Sequence, residues 1–327
     1  LWWRIRVIEK RFAKNGGVIK EKMKNIKIIL IILILPTILF SQTSNFFDSE
    51  KFELVVDKMN FPEGPAFDGS KAVYVSSCYG GFIKKIEGNK INLFVEADSN
   101  GIKQTNGLVF SKDGFLYACD FGLGAILKIS KKGIVKVLAS GYEGQKFNRP
   151  NDLAFDKKGN LYFSDPKTID TLNPDGRVFM INKKNNVRLL LDKIAYPNGL
   201  AFSADGKSLY LSESAKQRIL KYDVLENGDL VNQRVFIELP GGSPDGLALD
   251  TEGNLYVAHF GSGFLYVVSP EGKILVEFST PGKKPSNIEF AGKDLKTLYL
   301  TEDETNSVYK IKTKKRGLIL FNHPLRK

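Results

Sequence analysis

The chain has 327 residues, 43% hydrophobic and 26% charged, with 30 Gly and only two Cys. That is enough apolar material for a packed core, which excludes a disordered chain and a disulfide-stapled mini-protein. The net charge of +12 sits at the ends: residues 1–22 carry +5, 23–44 carry +2, 314–327 carry +5, and 45–313 are neutral. A neutral body lacks the concentrated basic face that phosphate backbones require, so no nucleic-acid partner is expected. A mean hydropathy of −0.17 excludes a polytopic membrane protein.

In chain order, the first feature is MKNIKIILIILILPTILFSQTS, beginning at Met23. Two lysines, an apolar run from Ile28 to Phe40 and small or polar residues after it have the layout of a secretory signal, too short for a membrane span. Residues 23–44 are therefore expected to be a signal peptide, and the mature protein periplasmic or secreted with no stable membrane span. Residues 1–22 do not fit such a signal, and are read as an extraneous upstream segment with synthesis starting at Met23. Export would place Cys78 and Cys119 in an oxidising compartment, where they could pair although nothing in their positions demands it.

Residues 45–313 contain six copies of one pattern: EGPAFDGSKAVYVSS, NGLVFSKDGFLYACD, NDLAFDKKGNLYFSD, NGLAFSADGKSLYLSE, DGLALDTEGNLYVAH and NIEFAGKDLKTLYLTE. They open at Glu63, Asn106, Asn151, Asn198, Asp245 and Asn287, and each carries a Tyr: Tyr74, Tyr117, Tyr162, Tyr210, Tyr256 and Tyr299. Short runs such as NLYFSD read as strands, and KKGN, ADGK and TEGN supply the residues hairpin turns need. Two further strand-like runs follow in each unit, for instance GRVFMI and VRLLL. Four strands in units of about 45 residues predict an all-β, six-bladed β-propeller of antiparallel sheets. KFELVV (Lys51 to Val56) stands where each outermost strand precedes an opening motif, so it is expected to complete the last blade. The basic tail 314–327 is expected on the surface.

The innermost strand of a blade lines the central tunnel, so the six opening residues should converge at one end. All six bear oxygen and none is Cys or His, an environment suited to Ca²⁺ or Mg²⁺. Asn and Asp beside Gly are also ordinary turn residues, a reading that accounts for Asn106 and Asn287 but not for Glu63. A second ring stands three residues after each Tyr: Ser77, Asp120, Asp165, Glu213, His259 and Glu302. These read either as groups that orient ligands or, for most of them, as strand-end polar residues facing water.

PEGPAFD, RPNDLAFD, YPNGLAFS and SPDGLALD resemble the signature segments of the regucalcin/gluconolactonase (senescence marker protein) family, six-bladed propellers that include lactonases. The similarity covers residues 50–313. It implies one divalent cation, Ca²⁺ first with Mg²⁺, Zn²⁺ or Mn²⁺ as alternatives, held by Glu63, Asn151, Asn198 and Asp245. It further implies Asp245 as general base, Arg149 and Asn106 as substrate-binding residues, and a small-molecule lactone as substrate. Asp152 matches an Asp beside the metal Asn, and with Asp165 and His259 is a candidate for supporting the ligands. The expected activity is metal-dependent lactone hydrolysis. Organophosphate or aryl-ester hydrolysis on the same site, or a secreted propeller that binds ligand without catalysis, remain the alternatives.

Overall fold

A computed structural model describes residues 43–97 and 101–326. The expected signal segment and the upstream stretch lie outside these residues, apart from Thr43 and Ser44. From Asn45 onward the chain forms one compact unit of six four-stranded antiparallel sheets.

The innermost strands are Pro62–Phe67, Thr105–Phe110, Leu153–Phe155, Pro197–Phe202, Ser243–Leu249 and Pro285–Ala291. Each is followed outward by the Tyr-bearing strand, Val73–Ser77 in blade 1 and Leu161–Asp165 in blade 3 for example. Burial falls steeply outward. Pro62–Phe67 is buried throughout, whereas the outermost strand of that blade, Lys90–Glu96, is mostly exposed. Blade 6 takes its fourth strand, Glu53–Val56, from the start of the propeller, antiparallel to Ser307–Lys312. This closure leaves no free edge between the first and last blades.

The repeated Tyr has a packing role between blades. Tyr74, Tyr117, Tyr162 and Tyr256 set their rings edge-to-face against Phe110, Phe155, Phe202 and Phe290 on the innermost strand of the next blade, with centroids 5.0–5.2 Å apart. Such pairs contribute about 0.5–1.5 kcal/mol each beyond their buried area. One aromatic pair per interface thus ties each blade to the next around most of the ring.

The tail does not lie loose on the surface. Thr251 N–H donates to the Arg316 carbonyl and Leu318 N–H to the Leu249 carbonyl, both at 2.8 Å. Phe321 is buried against Phe202, and His323 is buried with Nε2 2.9 Å from the Phe67 carbonyl oxygen. Leu318, Ile319, Leu320 and Phe321 face a small cavity also lined by Leu108, Leu200 and Leu247 of the innermost strands, closing that end of the tunnel. The charge of the tail directs attention to water, but its apolar run GLILF determines where it packs. Among the described residues no helix is long and apolar enough to cross a membrane.

Candidate functional site at the tunnel mouth

Glu63, Asn106, Asn151, Asn198 and Asp245 come from five different blades and line one cavity of about 400 Å³. What brings them together is the residue that follows. A Cβ added at Gly64 would overlap the Asn106 carbonyl oxygen, one at Gly107 the Asp152 carboxylate, and one at Gly199 the Asp245 carbonyl oxygen. The EG and NG pairs therefore mark close approach between neighbouring innermost strands rather than turns, and Gly107 N–H crosses between blades to the Asn151 carbonyl at 2.8 Å.

All five side chains are buried, and the Oδ1 atoms of Asn106, Asn151, Asn198 and Asp245 accept no hydrogen bond. A buried oxygen without a donor costs about 1–3 kcal/mol, so four gathered around one cavity are suited to a single shared electropositive partner. Among the described residues no three His, Cys, Asp or Glu side chains gather as a metal-binding group. The ring offers instead two carboxylates and several carboxamide oxygens, hard donors of the kind that Ca²⁺ and Mg²⁺ accept.

The electrostatics agree. Burial and the nearby Asp152 carboxylate push Glu63 up to about 8, only partly offset by the Gly64 N–H it accepts. Asp245 is held well above the usual carboxylate range by burial and by Glu63, Asp303 and Asp152, with the Asn198 amide pulling the other way. Asp303, pushed up to about 10 by burial, Glu63 and Glu302, belongs to the same acidic group, and neither of its oxygens has a hydrogen-bond partner. The sequence reading did not single it out. These acids share one negative field, and a positive charge among them would stabilise all three.

The remaining candidates divide. Arg149 is exposed, with its guanidinium 5.0 Å above the Phe121 ring that lines the cavity. Asn287 does not join the orphaned set, because its Oδ1 accepts the N–H of Ile288 at 2.8 Å, the turn-like bond expected of it. Asp152 does the same with Leu153 at 2.9 Å and, with Asn287 and Glu289, lines the small inner cavity.

The second ring does not face water. All six members are buried, and they grip the backbone leading into the innermost strand of their own blade. Asp120 accepts from the N–H groups of Lys103 and Gln104. Asp165 accepts from those of Asn148 and Arg149 and pairs with Arg177 at 3.0 Å. Glu213 accepts from Ala195 and Glu302 from Lys284. Ser77 Oγ donates to the Asn60 carbonyl, and His259 Nε2 meets the Leu239 carbonyl at 2.8 Å, with Nδ1 unpartnered. Backbone donors and acceptors taken from water need partners, and these side chains supply them while fixing where the ring residues begin.

The cavity wall is built from two other repeat positions. Four residues after the Tyr stand Cys78, Phe121, Ser214 and Phe260, and two before the opening residue stand Phe61, Tyr196 and Ser243; all seven line the cavity. Arg149 occupies the second of these positions in blade 3. Side chains alternate along a strand, so moving one residue past the second ring turns from the buried grip to the open mouth. Burial and neighbouring carboxylates raise the Cys78 thiol, so it stays protonated and is a wall group rather than a nucleophile. Cys78 and Cys119 are both free.

Residues 51–303 match the family model described as the SMP-30/Gluconolactonase/LRE-like region. The chain belongs to this family. A gluconolactonase of Zymomonas mobilis is 32% identical over 234 residues, covering 65% of this chain and 64% of its own length. The chain thus spans slightly under two thirds of that relative. Diisopropyl-fluorophosphatase of Loligo vulgaris is 27% identical over 218 residues, covering 62% of this chain and 69% of its own length. A solved gluconolactonase from Xanthomonas campestris has the same fold, with a TM-score of 0.74, 24% identity and coverage of 83% of this chain and 92% of that one.

Proposed function

We propose that this SMP-30/gluconolactonase-family chain is a metal-dependent lactone hydrolase. The observation that carries the proposal is the set of buried, unpartnered oxygens on Asn106, Asn151, Asn198 and Asp245, which join Glu63 around one cavity. Glu63, Asn151, Asn198 and Asp245 would hold the divalent cation, Ca²⁺ best suiting an all-oxygen set. The cation supplies Lewis acidity toward an ester carbonyl. Asp245 is the carboxylate that takes the proton from the attacking water, a contribution of about 10²–10⁴-fold. Glu63 balances charge and holds position. Asn106 offers an acceptor to a substrate hydroxyl, and Arg149, braced over Phe121, orients polar substrate groups from the rim.

A second reading is organophosphate or aryl-ester hydrolysis on the same ring, favoured by the similarity to the Loligo enzyme and by the aromatic wall of the cavity. The segment starting at Met23 supports export of the mature protein.

The test is a lactonase assay on the purified chain with and without chelator, beside a paraoxon-type substrate. Chelation abolishes turnover and Ca²⁺ restores it, while Asp245→Ala loses at least about 100-fold in kcat. Full activity in chelator, or in Asp245→Ala, overturns the assignment. Turnover of the phosphotriester alone favours the second reading.

A further inference from the structure

Above the ring of oxygens the cavity changes character. Its wall is formed by Phe61, Tyr79, Phe121, Ile169, Tyr196 and Phe260. Phe61 and Tyr79 lie with ring centroids 4.5 Å apart and planes tilted by 38°, packed together on one side of the cavity. Ile169 is 74% exposed and Tyr79 54% exposed, although both border the mouth. Leu172, on the same loop as Ile169, is 88% exposed.

That loop is braced from within. Asp175 Oδ1 accepts from both the N–H and the hydroxyl of Thr168 at 3.0 Å, and Asp170 Oδ1 accepts from the N–H groups of Leu172 and Asn173 at 2.8 and 3.0 Å. Ile169 is therefore presented to water at the rim by a self-bonded loop. Single exposed apolar residues are ordinary, but Ile169 and Tyr79 continue an apolar wall that begins inside the cavity.

The polar groups available to a substrate above the ring are few. Ser214 Oγ already donates to the Pro244 carbonyl at 2.6 Å. The Ser243 hydroxyl, the phenols of Tyr79 and Tyr196 and the exposed Arg149 remain. A polyhydroxylated sugar lactone would bring several hydroxyls against Phe and Ile surface, where an unmet hydroxyl is penalised. An alkyl or aryl substituent would instead remove those side chains from water.

Resting on the lactonase reading, we propose that the preferred substrate is a lactone with an apolar arm, an alkyl chain or aromatic ring, and few hydroxyls. The arm lies along Phe61 and Phe121 and leaves the mouth past Ile169, while the ester ring sits over the opening residues.

Binding and turnover test this separately. Affinities of 5-alkyl-γ-lactams from methyl to heptyl, which resist hydrolysis, are measured by titration calorimetry on the full chain with and without Ca²⁺. Affinity tightens about fourfold per added methylene until the wall is covered. Ile169→Ser flattens that slope. In parallel, kcat/KM is measured for the matching γ-lactones and for glucono-1,5-lactone with Ca²⁺ present, and the long-chain lactones are preferred. A flat lactam series, or preference for glucono-1,5-lactone, overturns the proposal and leaves the lactonase reading intact. A steep lactam series with no hydrolysis of any lactone supports the apolar-arm pocket and overturns the lactonase reading.

Discussion

Three acids from blades far apart in sequence, Glu63, Asp245 and Asp303, share one buried field, and their protonation links the site to stability. Each has a native proton affinity above that of the unfolded chain. Native protein therefore retains protons that the unfolded chain releases as pH rises from about 4.5 toward about 8 for Glu63, and stability falls across that window. The metal-free chain should be more stable at pH 5 than at pH 8 in urea unfolding. Ca²⁺ should remove most of the slope and add about 2.7 kcal/mol at 100 times its Kd. A metal-free profile that rises between pH 5 and 8 would contradict the shared-field picture. The repeat alignment makes Glu63 and Asp245 legible as a pair. Asp303 was not, because its closeness to Glu63 arises where the last blade meets the first.

At the scale of the element, one repeat serves two surfaces. The opening residue faces the cavity, the next must be small for the neighbouring innermost strand to approach, and the Tyr and Phe positions lock adjacent blades. Gly199→Ala should cost about 1–3 kcal/mol, because its Cβ would meet the Asp245 backbone rather than a side chain that could move. It should also weaken Ca²⁺ affinity by displacing Asp245, with calorimetry and thermal unfolding as the readouts. An unchanged Ca²⁺ affinity would show that strand spacing does not set the ring. Blade count, strand order and the closing strand, expected within Lys51 to Val56 and found at Glu53–Val56, were readable from periodicity and turn residues. The role of the second ring was not: Asp120, Asp165, Glu213 and Glu302 look like strand-end acids in sequence, and only the path of the chain brings the waiting N–H groups to them.

For the whole molecule, the two ends of the tunnel differ in kind. One holds orphaned oxygens under an apolar mouth; the other is closed by Leu318 to Phe321, with Phe321 and His323 buried. Deleting residues 315–327 removes this closure and exposes apolar surface on several innermost strands. Burying one Phe side chain contributes about 1.5–3 kcal/mol, so the truncated chain should lose at least about 3 kcal/mol by urea unfolding. Stability equal to the full chain would mean that the tail rests on the tunnel without supporting it.

The amino-acid sequence by itself determined the blade count, the order of strands and the oxygen-bearing opening residues, because each is local and repeats six times. Tertiary structure alone decided which oxygens lack a donor, which acids share a field, which strand-end residues turn inward and where the basic tail packs. These depend on distances between segments dozens to hundreds of residues apart, and a repeat pattern encodes the blade without encoding how its copies meet at the axis.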